Sequence, residues 1–204
     1  MCSEDWGPAM IVLDIAVFAT ADANWQLALD QYIAGANYHL ANFDMRLNVY
    51  PPRPASPVGI PLLGEFYDPA PDFDVLSRRP GDLRFAASIV LPESHGIPVI
   101  FSKSHKTDFA GLTIYPEDVS ANRNVQWLSY VLIREGSLNS DLSCLLHELI
   151  HAADYNGDSD HFGARFLHDS DPVSIMRPDP GPLPVAMYER HAQALRTSYF
   201  ARSE

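Results

Sequence analysis

Apolar positions recur at two spacings along the chain, and together they predict alternating strands and helices. Residues 10–20 (MIVLDIAVFAT) are rich in β-branched and apolar side chains, which is typical of a buried strand. The next apolar positions lie on one face of a helix that is expected to open at Asp22 or Asn24 and to end near Asn42. This apolar face consists of Trp25, Leu29, Tyr32, Ile33, Ala36 and Leu40. Further strands are predicted at residues 46–50, 83–91, 97–102, 111–115 and 125–134.

Helical spacing returns in the second half of the chain. A helix is predicted over residues 139–155, with Asn139 or Ser140 as its cap and Gly157 after its end. Its apolar stripe consists of Leu142, Leu145, Leu146, Leu149 and Ala153. A last helix is predicted over residues 185–201, after an irregular stretch.

These elements fit a single domain over residues 1–204, of class α/β (α+β). Residues 10–155 are expected to form an upper lobe, in which helices cover a twisted mixed sheet. Residues 156–204 are expected to form a smaller, largely irregular lower lobe that ends in a helix. The two lobes together would form one domain.

Composition narrows the partners that this domain is expected to bind. The chain is 47% hydrophobic and 20% charged, which fits a globular protein, and its net charge of −12 disfavours nucleic acid and anionic membranes as partners. No apolar run is long enough for a transmembrane helix. The first five residues, MCSED, are acidic, unlike the start of a signal peptide, so the compartment is left open. Of the two cysteines, Cys144 is expected to be a small buried residue and Cys2 to lie in a loose terminus.

The predicted helix 139–155 carries the clearest chemical signal of the chain. Residues 147–151 read His147-Glu148-Leu149-Ile150-His151, the pattern H-E-x-x-H. Histidines at this spacing lie one turn apart on one helix face, so both imidazoles can bind one Zn²⁺ at about 2.0–2.1 Å. Glu148 would then lie beside the open position of the metal and act as general base for hydrolysis. The motif therefore predicts a zinc site with catalytic Glu148.

A hydrolytic zinc site needs a third protein ligand, which the helix does not supply. His161 is the first candidate, since a chain that reverses at Gly157 would return it to the metal. Asp160 or Asp158 is the alternative, followed by His168 and then Asp169. Asp154 is on the histidine face of the helix but a turn too far along, which favours support of a ligand histidine rather than binding.

The tripeptide Ser174-Ile175-Met176 downstream of the motif resembles the Met-turn of the metzincin metallopeptidases. The resemblance implies that Met176 forms a floor below the zinc histidines. The order of predicted elements from about residue 10 to 201 is also similar to that of metzincins. It implies that residues 111–115 form an edge strand that pairs with an extended peptide substrate.

The chain departs from the metzincin pattern H-E-x-x-H-x-x-G-x-x-H at two positions. Asp154 stands at the glycine position and Gly157 at the third-ligand position, so the family motif does not fix the third ligand. The tyrosine often found shortly after the methionine is absent, and Tyr155 or Tyr188 could replace it as an oxyanion donor.

The expected activity is that of a zinc-dependent metalloendopeptidase, with a peptide or protein as substrate. His147, His151 and His161 would bind the metal, and Glu148 would activate water. Two alternatives remain: an inactive zinc-binding module that recognises a peptide, and a bacterial effector or toxin protease with one protein target. Oligomeric state and cleavage specificity have no signal in the sequence.

Overall fold

A computed structural model describes residues 9–19, 25–49, 96–102, 110–114, 130–134, 142–153, 168–178 and 185–204. Within them the strands are β1 (Ile11–Ala19), β2 (Met45–Val49), β3 (Ile97–Ser102), β4 (Gly111–Ile114), β5 (Tyr130–Arg134) and β6 (Ala201–Ser203). The helices are α1 (Trp25–Leu40), α2 (Cys144–Ala153) and α3 (Glu189–Thr197), with a 3-10 turn at Ala41–Phe43. The strand predicted at residues 83–91 lies outside the described residues.

The described strands form one largely parallel sheet in the order β2-β1-β3-β5-β4. Strands β1, β2, β3 and β5 pair in parallel, whereas β4 is antiparallel to β5 and is the last strand in this order. The protein is thus a mixed α/β fold, as predicted. The prediction that residues 111–115 contain an edge strand is confirmed for the part of the sheet that the structure describes.

The three described helices bury apolar side chains in one core against the same face of the sheet. Alternate residues of β1, such as Leu13 and Ile15, point into this core, as side chains of alternate strand residues do. The buried positions of α1 are Leu29, Tyr32, Ala36 and Leu40, which confirms most of its predicted stripe. Helix α2 buries eight of its ten residues, including Cys144, and its packing on β4, β5, α1 and α3 fixes the orientation of the motif.

The bounds of the two helices in the second half of the chain differ from the sequence prediction. Helix α2 begins at Cys144 rather than near residue 139, because Leu142 and Ser143 form a turn and the Ser143 carbonyl accepts the first helical hydrogen bond, from His147 N. Helix α3 is shorter than predicted, because Tyr188 and Ser198 have extended backbones.

Strand β6 follows α3 and was not predicted. It pairs antiparallel with the start of β1, and Arg202 Nε donates to the buried Asp14 carboxylate at 2.7 Å. No helix within the described ranges is long and apolar enough to cross a membrane.

Candidate metal centre

Helix α2 brings the two motif histidines together, as the spacing predicted. Their Nε2 atoms lie 3.1 Å apart, and their ring centroids are 4.7 Å apart with the planes near perpendicular. Two nitrogens bound to one tetrahedral Zn²⁺ at about 2.0–2.1 Å would be separated by about 3.3 Å. The helix alone therefore places His147 and His151 at a spacing that suits one metal ion.

His168 completes a cluster of three imidazoles. Its ring centroid is 5.3 Å from that of His147, with the planes stacked, and 5.2 Å from that of His151. One ring nitrogen from each residue lies within 4.8 Å of the other two, a geometry that can hold a metal ion. His147 and His151 are half-buried and His168 is exposed, so the cluster opens toward solvent on the His168 side.

The other candidates for the third ligand do not join this cluster in the described part of the chain. His161, Asp160, Asp158 and Asp154 lie outside the described residues, so their predicted roles stay predictions. Asp169 is described, and its carboxylate contacts Ser174, Arg190 and His191 instead. Among the candidates that the structure describes, His168 is the one that approaches both motif histidines.

The backbone of the predicted Met-turn holds His147 in place. His147 Nδ1 lies 2.7 Å from the carbonyl oxygen of Ile175. Since a carbonyl oxygen can only accept a hydrogen bond, Nδ1 carries the proton and donates a hydrogen bond to this oxygen. Nε2 is then left as the neutral donor atom that a metal requires, and a backbone carbonyl is a common partner for a metal-binding histidine. Met176, the next residue, is fully buried in the core that contains α2.

The same loop connects this turn to His168. The Asp169 amide donates to the Met176 carbonyl at 2.7 Å, and the Met176 amide donates to the Ser174 hydroxyl, which in turn donates to Asp169. The Ile175 amide donates a hydrogen bond to the Ala186 carbonyl, which connects the loop to the segment before α3. His168 and the carbonyl that orients His147 therefore belong to one hydrogen-bonded loop.

Two ionisable groups, Asp169 in this loop and His191 on α3, have shifted pKa values. Burial alone would raise the pKa of Asp169, but hydrogen bonds from Ser174 and Arg190 outweigh it and hold the pKa below its usual range. Burial lowers the pKa of His191 to about 4, and the charge of Arg190 contributes in the same direction. Around neutral pH, Asp169 is therefore an anion that anchors the loop, and His191 is neutral.

Glu148, the predicted base, is buried between α2 and β4. The Thr113 hydroxyl lies 2.8 Å from Oε2 of Glu148 and 2.8 Å from its backbone oxygen. Burial raises the pKa of Glu148 to about 7, while hydrogen bonds from the side chain and the backbone of Thr113 oppose the rise. A carboxyl group with this pKa can accept a proton and release it again near neutral pH.

Tyr188, one of the two predicted oxyanion donors, has its hydroxyl 2.6 Å from Asp171 Oδ2 and donates to it. This bond raises the pKa of Tyr188 and directs its hydroxyl toward the loop. Tyr155, the other predicted donor, lies outside the described residues. The structure thus gives Tyr188 a role in holding residue 171 near the start of α3.

Comparison of this chain with models of known protein families and with curated proteins finds no match.

Sequence reasoning missed two contributors to the site and ranked a third low. Thr113 and the Ile175 carbonyl have no local signal, because both reach the motif only through tertiary packing. His168 was considered but ranked below His161, since proximity in sequence to the turn at Gly157 was the sole guide. Its position shortly before the Ser174-Ile175-Met176 tripeptide was the available signal for it.

Proposed function

We propose that this protein is a zinc-dependent metallopeptidase of zincin type, related to metzincins. The single observation that carries the proposal is the convergence of three imidazoles, two of them on the helix that also carries the buried Glu148. Neutral imidazole nitrogens suit Zn²⁺ well, and a site with three protein ligands leaves one coordination position for substrate or water. Imidazole also binds copper, iron and nickel, and zinc is proposed here because the H-E-x-x-H spacing is that of zinc peptidases.

The fold and the turn at residues 174–176 support the family part of the proposal. The resemblance implies an edge strand and then a last strand before the zinc helix, and β4, β5 and α2 follow one another in this order. It also implies a buried methionine near the ligand histidines, and Met176 directly follows the residue whose carbonyl orients His147.

His147, His151 and His168 would hold the ion in this proposal, with His161 as the alternative third ligand. When bound, Zn²⁺ would polarise the scissile carbonyl and lower the pKa of water to about 7. Glu148 then accepts a proton from the attacking water and returns it to the leaving amine. The Ile175 carbonyl keeps His147 in the tautomer that can bind.

Cleavage of a peptide library by zinc-loaded wild type and Glu148→Gln tests the activity. We expect cleavage by wild type and a loss of about 100-fold or more in Glu148→Gln, because general bases contribute this much. Glu189→Gln, the same change at an exposed residue of α3, is the matched control and should cleave like wild type. Equal cleavage by wild type and Glu148→Gln contradicts the proposed base, and zinc binding without cleavage by wild type favours the inactive module.

Zinc stoichiometry of the purified protein tests the ligand set separately. We expect His151→Ala and His168→Ala each to lose bound zinc, whereas His39→Ala on α1 should retain it. His161→Ala is the discriminating variant. If it loses zinc while His168→Ala retains it, the third ligand is His161.

A further inference from the structure

Strand β4 passes beside the predicted base and presents two of its four residues to it. Gly111 and Thr113 are two apart in the strand and therefore share one face. The hydroxyl of the buried Thr113 is 2.8 Å from Glu148 Oε2. The same hydroxyl is 2.8 Å from the backbone oxygen of Glu148, so it contacts both ends of this residue.

Gly111 also contributes to this arrangement, because the absence of a side chain leaves space for Glu148. A β-carbon at this position would lie 2.8 Å from Glu148 Cγ, 3.0 Å from Glu148 Oε1 and 2.8 Å from Cys144 Sγ. Cys144 and Glu148 are one helical turn apart, so the face of α2 that carries the base packs directly against β4 at this glycine. An alanine there cannot be accommodated unless Glu148 or Cys144 moves.

We propose that Gly111 and Thr113 together form a cradle on β4 that positions the carboxyl group of Glu148 for proton transfer. The glycine leaves room for the carboxyl group, and the threonine hydroxyl fixes the direction of one of its oxygens. Both are positioning residues, since they act through Glu148. The inference rests on the proposed peptidase function and adds to it the residues that make the base effective.

The chemistry of the hydroxyl fits this role. A hydroxyl group can donate one hydrogen bond and accept others. Thr113 can donate to Glu148 Oε2 when the carboxylate is ionised. When Glu148 carries the proton, Thr113 can accept it in a hydrogen bond and donate instead to the Glu148 backbone oxygen. The contact therefore persists while the base takes up and releases a proton.

The position of the cradle also couples it to substrate binding. β4 stands at one end of the described strand order, so an extended peptide could add to it by strand pairing. A peptide bound there would lie along the strand that holds the base. Substrate that pairs correctly with β4 would thus meet a base oriented by the same strand.

Two variants that differ by one oxygen atom test the cradle in the zinc-loaded protein. Thr113→Ser and Thr113→Ala both lose the methyl group, but only the alanine loses the hydroxyl. We expect Thr113→Ala to lower kcat about tenfold or more with KM and zinc content unchanged, and Thr113→Ser to stay within about threefold of wild type. Gly111→Ala should also lower kcat, and Thr197→Ala on α3 should not.

The outcomes separate this inference from the proposed function. Wild-type cleavage with equal kcat for Thr113→Ser and Thr113→Ala overturns the cradle and leaves the peptidase standing. Zinc-bound wild type that cleaves no peptide overturns both. If Thr113→Ala loses zinc or folds poorly, Thr113→Val is used in its place, because valine keeps the volume of the threonine side chain. If kcat of Thr113→Val falls only in proportion to the loss of bound zinc, the positioning role is overturned.

Discussion

Replacement of Glu148 by glutamine should stabilise the metal-free protein at high pH and leave its stability almost unchanged at low pH. In the folded protein, burial raises the pKa of Glu148 from 4.5 to about 7. The protonated form is therefore favoured by folding, and the stability associated with this group is fully present below pH 4.5. It is lost as the pH rises from there through about 7, because the buried carboxylate must then be ionised.

The size of the effect follows from the two pKa values. The difference between 4.5 and about 7 corresponds to about 3 kcal/mol in the free energy of unfolding, at about 1.4 kcal/mol per pH unit. Glutamine is neutral at every pH and has nearly the same shape. We therefore expect Glu148→Gln to match wild type near pH 4.5 and to exceed it by about 3 kcal/mol at pH 8.

Urea unfolding of both proteins in the presence of a chelator, at several pH values, measures this difference. The difference between the proteins is needed because His191 acts in the opposite direction. Its folded pKa of about 4 gives stability that is present above its ordinary value of 6.5 and is lost as the pH falls through 4. The wild-type profile alone would combine the two contributions, whereas subtraction of Glu148→Gln isolates the carboxyl group.

Two measurements test whether desolvation of Glu148 causes the stability difference. A stability difference that does not change between pH 4.5 and pH 8 refutes the claim that desolvation governs Glu148. Saturating zinc should reduce the gain at pH 8, because a cation beside the carboxylate favours its ionised form.

Three further predictions concern zinc binding, a buried ion pair and the packing of α1. Zinc at 100 times its dissociation constant should stabilise wild type by about 2.7 kcal/mol in thermal or urea unfolding, and a chelator should reverse this; the same stabilisation in His151→Ala would contradict the site. Arg202→Ala should cost about 1–3 kcal/mol in the free energy of unfolding, because the buried Asp14 carboxylate loses one of its hydrogen-bond partners. Arg46→Ala, which breaks an exposed pair with Glu204, should cost less than about 1 kcal/mol, and equal costs would argue against a role for burial. Gly35→Ala should destabilise by about 1–3 kcal/mol despite the better helix propensity of alanine, since the new β-carbon would lie 2.8 Å from the Leu142 carbonyl oxygen. A gain in stability would show that α1 can move away from the turn that precedes α2.

The candidate site divides between what α2 supplies and what other elements bring to it. The spacing of His147, Glu148 and His151 within one helix was sufficient to predict the pair of imidazoles. His168, the Ile175 carbonyl and Thr113 come from separate segments, and their approach depends on how the loop and β4 pack on α2. Local spacing holds no information on that packing, so it favoured His161 over His168 and gave no reason to place Thr113 at the site.

The amino-acid sequence by itself determined the elements whose burial is periodic. Strand β1, helix α1 and the later strand β3 were located because each must turn apolar side chains to one core, which leaves a regular pattern along the chain. Only the tertiary structure decided the pairing of β6, since its Ala-Arg-Ser sequence has no strand pattern and is held by β1 and by the bond of Arg202 to Asp14. It also decided the pKa of Glu148, because desolvation depends on every neighbour that excludes water and not on the residues beside it in the chain.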